Sequence, residues 1–116
     1  MIEKRKYIRI PERLRIFYEI IPGAKTGEQM TRDISHGGIR FLIRDFLSKD
    51  SRLKIRITFK TFFSLEALVR VVWIREMPNG EEFEVGAQFI DMPKEAEAYL
   101  INYIETLSST RNKKQV

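Results

Sequence analysis

The chain has 116 residues, 43% hydrophobic and 32% charged, a composition that fits one folded domain and leaves little room for a second. It contains no cysteine, which excludes disulfides, thiolate metal sites and a thiol nucleophile. Its net charge of +5 favours anionic partners, no run approaches the ~18 apolar residues of a membrane span, and the basic start lacks the apolar run of a secretory signal, so a cytoplasmic protein is expected.

The basic residues are unevenly spread. Lys4, Arg5, Lys6, Arg9, Arg13 and Arg15 crowd the first 15 positions, against only Glu3 and Glu12. Residues 1–12 read as a basic arm, expected to be mobile because its charges repel and few apolar residues anchor it. Beyond it, Leu14, Ile16, Tyr18 and Ile20 recur at every second position, the period of a half-buried strand. Pro22 to Gly27 reads as a turn, Glu28 to Ile34 as a weaker strand, and Ser35-His36-Gly37-Gly38 as its stop. Ile39, Phe41 and Ile43 restart the alternation.

Leu53, Ile55, Ile57 and Phe59 alternate with Arg52, Lys54, Arg56 and Thr58 in the cleanest one-sided strand. Leu65, Ala67, Val69, Val71 and Trp73 make a longer strand, which puts Trp73 in the core. Met77 to Gly80 turns the chain, and Phe83, Val85, Ala87 and Phe89 supply a final strand. Short alternating strands with turn residues between them predict an antiparallel barrel or sandwich. The tail changes period: Ala96, Leu100, Tyr103, Ile104 and Leu107 share one helical face over about 93–109, with Pro93 at the first position and Asp91 near enough to cap. The barrel and helix thus occupy 13–110, and residues 111–116 form a frayed basic tail.

Enzymatic constellations are missing from the sequence. His36 is the only histidine, so no histidine pair or HExxH can hold a metal, and no GxGxxG or Walker loop is present. The carboxylates are scattered, with no pair spaced for acid–base work. No catalytic residue, cofactor or metal ligand is assigned, and a non-enzyme is expected.

Two motifs remain: Arg5-Lys6-Tyr7-Ile8-Arg9, and Asp33-Ile34-Ser35-His36-Gly37-Gly38. Alone, each has a plain explanation. The RxxxR spacing recurs at Arg9/Arg13, Arg40/Arg44 and Arg52/Arg56, where a solvated basic face suffices. Asp, Ser and Gly at a strand end describe an ordinary turn. Together, an arginine pair in an N-terminal arm followed by DxSxxG at a strand boundary resembles the PilZ domain family. The likeness extends to Pro11 and to the later strands at Val71-Val72-Trp73 and Val85-Gly86-Ala87-Gln88-Phe89.

That resemblance implies a six-stranded antiparallel β-barrel with a C-terminal helix, and a site for the bacterial second messenger cyclic di-GMP. It assigns Arg5, Arg9, Asp33, Ser35 and Gly38 to the ligand, with Lys4, Lys6, His36 and Gly37 as further candidates; His36 is expected to face water. Guanidinium forks suit phosphate oxygens and the O6/N7 edge of guanine, the Asp33 and Ser35 oxygens suit its N–H donors, and glycine permits close backbone approach. The implied mechanism orders the arm on the ligand and signals to a protein partner in motility, exopolysaccharide or transcription machinery, with no specific nucleic acid. Two alternatives stand beside it: a PilZ-like protein-interaction module without ligand, and a small barrel binding single-stranded nucleic acid, which Tyr7, Phe17, Phe62 and Phe63 could serve. Phe62-Phe63 reads equally as an exposed loop pair for a protein partner, and Arg40, Arg44, Arg52 and Arg56 as outer-face decoration.

Overall fold

Apolar residues at every second position close around one interior. The computed structural model describes residues 9–23 and 25–114, apart from the side chains of 110–114. Its strands are β1 (Arg15–Ile21), β2 (Lys25–Ile34), β3 (Gly38–Ile43), β4 (Arg52–Thr58), β5 (Ser64–Glu76) and β6 (Phe83–Asp91), followed by helix α1 (Lys94–Lys114). The strands pair antiparallel in the order β1-β2-β3-β6-β5-β4, and β4 returns to β1 to close the barrel. In β4, Leu53, Ile55 and Ile57 are buried while Arg52, Lys54 and Arg56 face solvent, as period-two patterning requires.

Trp73 breaks that rule. Leu65, Ala67, Val69 and Val71 point inward, but the β5–β6 register shifts between Val71 and Trp73. The extra residue of this bulge moves the alternation by one, so Ile74 packs on the core and Trp73 is turned outward, 39% exposed. The expectation that Trp73 lies in the core is therefore corrected.

The chain ahead of β1 is also more firmly held than its charge suggests. Ile10 is buried and exchanges two backbone hydrogen bonds with Ile34, at 2.9 and 3.0 Å. Thr31 Oγ1 accepts from the Leu14 N–H at 2.8 Å and donates to the Glu12 carbonyl at 2.6 Å. Residues 10–14 are thus tied along β2. Residues 1–8 lie outside the described residues.

Helix α1 closes the barrel end where β4 meets β5 and where the chain enters β1. Ala96, Leu100 and Ile104 are buried, with Tyr99, Tyr103 and Leu107 packed beside them. Phe59 meets Tyr99 and Tyr103 edge-on at 5.0 and 4.7 Å, and Phe63 stacks on Tyr99 at 4.0 Å. Tyr103 Oη donates to Glu12 Oε2 at 2.5 Å. The Phe62-Phe63 pair is therefore split, Phe63 facing the helix and Phe62 standing 89% exposed at φ 67°.

Asp91 ends β6 opposite Leu68, three residues ahead of the first helical residue, Lys94. The first helical bond runs from the Glu97 N–H to the Pro93 carbonyl at 3.0 Å, and Glu95 and Glu97 favour the positive end of the helix dipole. The backbone stays helical to Lys114, past the expected end at Ser109. No glycine or proline interrupts that stretch, and Arg111, Lys113 and Lys114 suit a helix C-terminus.

Two predictions follow from close packing. A Cβ on Gly38 would lie 2.2 Å from the Ala87 carbonyl oxygen of β6, a backbone atom that cannot swing aside. Gly38→Ala should destabilise the barrel by about 1–3 kcal/mol, read from the denaturant midpoint. Burial, followed by the hydrogen bond to Asp45 Oδ2 at 3.1 Å and the charge of Asp45, pushes the Tyr18 phenol up to about 12. A raised folded-state value means that this stabilisation is complete below pH ~10 and lost as pH rises through about 12. The denaturant midpoint of Tyr18→Phe should accordingly fall less over pH 10–12 than that of the wild type.

Candidate functional site

The site begins at Asp33, two residues before the end of the strand-stop motif's serine. Its side chain is only 8% exposed, and a buried carboxylate needs partners. It has two from different elements: Arg9 Nη1 reaches Oδ1 at 2.8 Å, and Arg40 Nη2 reaches Oδ2 at 2.7 Å. Arg9 is delivered by the Ile10–Ile34 bridge, which fixes the chain beside β2 one residue later. Arg40 is delivered by the β2–β3 hairpin, whose register sets it directly opposite Asp33.

That register continues across the sheet. Arg40 faces Gly86 on β6, and Gly86 faces Trp73 on β5, so Asp33, Arg40, Gly86 and Trp73 form one row across four strands. Glycine is required in the row, because a Cβ on Gly86 would lie 2.3 Å from the indole. Trp73 lies across the gap. Arg9, Pro11, Asp33, Arg40 and Trp73 together line a cavity of about 420 Å³.

The DxSxxG motif divides between two tasks. Asp33 enters the cavity, whereas Ser35 is buried and spends its hydroxyl on its own bend. Ser35 Oγ accepts from the Gly37 and Gly38 N–H groups at 3.2 and 3.1 Å and donates to the Gly38 carbonyl at 3.4 Å. In this structure the Ser35 oxygen supports the turn of the motif. Gly38 permits the close approach of Ala87, and its φ is not left-handed. His36 and Gly37 are half-buried on the connecting bend. Arg5, Lys4 and Lys6 lie outside the described residues.

Arg40, Trp73 and Pro11 are site residues that one-dimensional reading did not assign. Arg40 does project from the outer face, but with Asp33 as its partner. A signal for Trp73 was present: Val71-Val72-Trp73 breaks the alternation, and Gly86 marks the strand across from it. Arg44, Arg52 and Arg56 are exposed, and Arg56 lies 5.4 Å over the Phe17 ring. Below the row, Glu84 on β6 is covered by Arg75, Arg40 and Arg32.

A larger groove of about 550 Å³ runs over β1, β4 and β5. Its walls mix Glu19, Glu66 and Asp91 with Lys54 and Arg56, and it holds none of the motif residues, so it is poorly matched to an anion. Among the described residues, no group of three or more His, Asp or Glu is placed to hold a metal ion, and no helix is long and apolar enough to cross a membrane.

Comparison with known proteins agrees with this architecture. The fold is similar to that of the Bacillus subtilis inhibitor of motility (MotI/DgrA), at 19% identity and a TM-score of 0.79, over 94% of this chain and 53% of that one. It is similar to the PilZ domain of YcgR from Escherichia coli, solved with c-di-GMP, at 16% identity and 0.73, over 97% of this chain and 98% of that one. MrkH of K. pneumonia, solved as a c-di-GMP complex, gives 15% identity and 0.80, over 97% and 56%. The chain thus spans about half of the MotI/DgrA and MrkH chains, at 53% and 56%. No curated protein sequence matches it. The family model for the PilZ domain matches residues 3–106, and with that span and the closed six-stranded barrel, the chain belongs to the PilZ domain family.

Proposed function

We propose that this domain is a receptor for cyclic di-GMP that takes the nucleotide on the Arg9–Asp33–Arg40–Trp73 face and acts through a protein partner rather than by catalysis. One observation carries the reading. Two guanidiniums, one buried carboxylate and one indole converge on a single cavity large enough to take part of a dinucleotide.

Cyclic di-GMP presents two phosphates and two guanines, and each feature of the face answers one of them. The Arg9 and Arg40 forks suit phosphate oxygens or the O6 and N7 acceptors of guanine. Trp73 offers a flat apolar face, and base–aromatic stacking contributes about 1–3 kcal/mol. Asp33 already receives one bond on each oxygen, and each oxygen keeps a lone pair for the guanine N1–H and N2–H₂ donors. Arg5 would add a further guanidinium from the arm. Several charge-assisted bonds at about 1.5–3 kcal/mol each, less the ordering of the arm, leave about 8 kcal/mol, which is micromolar binding.

Solved relatives support both ligand and output. The PilZ domain of YcgR and MrkH are each described with c-di-GMP. MotI/DgrA is named for motility, MrkH is described as a transcription regulatory factor, and a further relative is the PilZ domain of CeSA from a cellulose-synthesizing bacterium. A partner in motility, transcription or exopolysaccharide machinery is the corresponding proposal here. Because residues from Arg9 onward are tied to β2, ligand-driven ordering is assigned to the segment ahead of Arg9.

Calorimetric titration with cyclic di-GMP, GTP and a short oligonucleotide at physiological salt tests this. Micromolar binding of cyclic di-GMP alone is expected, with Arg9→Ala and Arg5→Ala each at least ~10-fold weaker while the barrel stays folded. Unchanged affinity in both variants refutes the assignment. Trp73 is the only tryptophan, so its emission should change on titration in the wild type. Protease protection over Lys4–Arg9 should increase with ligand.

A further inference from the structure

Glu84 stands on the outward side of β6 and is nonetheless 2% exposed. Three guanidiniums cover it. Arg75 Nη2 hydrogen-bonds Oε1, while Arg40 Nη1 and Arg32 Nε lie 3.6 and 3.8 Å from Oε2. Of the three, only Arg40 also reaches Asp33, at 2.7 Å through Nη2. Its planar fork therefore lies between two carboxylates, at 2.7 Å from Asp33 on β2 and at ion-pair distance, 3.6 Å, from Glu84 on β6. One anchor would leave the guanidinium free to swivel about the bond; a second negative charge facing the other terminal nitrogen disfavours that rotation. Arg40 lines the cavity and Glu84 does not.

We propose that Glu84 is a positioning residue of the nucleotide site, acting on the ligand only through Arg40. This rests on the reading of the Arg9–Asp33–Arg40–Trp73 face as a cyclic di-GMP site. By Coulomb's law, a carboxylate beside an anion site opposes the ligand, so its presence there calls for a compensating effect. Ordering Arg40 supplies it: the donor is immobilised when the barrel folds, and binding then loses less freedom. Charge is balanced to match. Arg9, Arg32, Arg40 and Arg75 face Asp33 and Glu84 in one connected network, a surplus of two positive charges, equal and opposite to two phosphodiesters.

Positioning and simple electrostatics predict opposite signs. Glu84→Gln keeps the shape and removes the charge, so electrostatics alone would tighten cyclic di-GMP binding. Lost positioning should weaken it, by about 5–10-fold. Glu84→Asp keeps the charge but falls one methylene short of Arg40, and should weaken binding similarly. Should Glu84→Gln fail to fold, Glu84→Asp carries the comparison. A ligand-free readout accompanies both: NMR of the Arg40 guanidinium should report restricted rotation in the wild type and averaging in the variants. Folded variants that bind as well as the wild type, or better, overturn the proposal, as does an Arg40 signal that does not change. If the wild type binds and Arg9→Ala does not, while both Glu84 variants bind normally, only the role of Glu84 falls. A wild type that binds no cyclic di-GMP sinks the receptor reading itself, and the role of Glu84 with it.

Discussion

A single carboxylate ties the entering chain to the sheet on one face of this barrel. Asp33 is almost removed from water, and an unpaired charge there would cost several kcal/mol, so the arginines that answer it are held rather than loosely associated. One of them comes from the segment ahead of the barrel and the other from the neighbouring strand. Ion pairing between them and Asp33 joins an entering chain to a sheet. Both arginines also line one cavity with Asp33 and Trp73.

The entering chain reaches further than the cavity. Three residues after Arg9, Glu12 receives the Tyr103 hydroxyl and lies 3.9 Å from Lys60 Nζ. Phe59, Phe63, Tyr99 and Tyr103 pack around the same corner. The segment that carries Arg9 is consequently bounded on one side by the site and on the other by the helix. The barrel end is closed by aromatic packing, and the position of the helix and that of the arm's base are set by shared contacts.

Much of this was legible in one dimension, and the exceptions have physical causes. Alternation located the strands that bury one face, and Ala96, Leu100 and Ile104 located the helix for the same reason, whereas β2 starts at Lys25, inside the expected turn, because its first residues pair with β1 without burying a face. The motif residues Arg9 and Asp33 do meet, and the likeness of the pattern to a family is what singled out Arg9 from other equally spaced arginines. Trp73 was misplaced because a bulge is a two-strand property: whether an extra residue is accommodated depends on what β6 offers opposite it. Arg40 was undervalued because its partner is fixed by hairpin register. The bonds of Ser35 to its own bend are set by backbone geometry that the motif spacing does not show. Ile10 was outweighed by the charges around it, although one buried apolar residue with two backbone bonds suffices to hold the chain.

Gly86 and Trp73 occupy one space between them. The indole fills the room that any other residue at position 86 would claim, and the bulge that exposes it exists on the strand opposite that glycine. Neither can be exchanged singly without leaving a hole or a clash on the face of the sheet. Across descendants of this sequence the two should therefore be inherited, or lost, as a couple, which makes their joint occurrence a mark by which barrels with the same platform can be told from those that share only the fold.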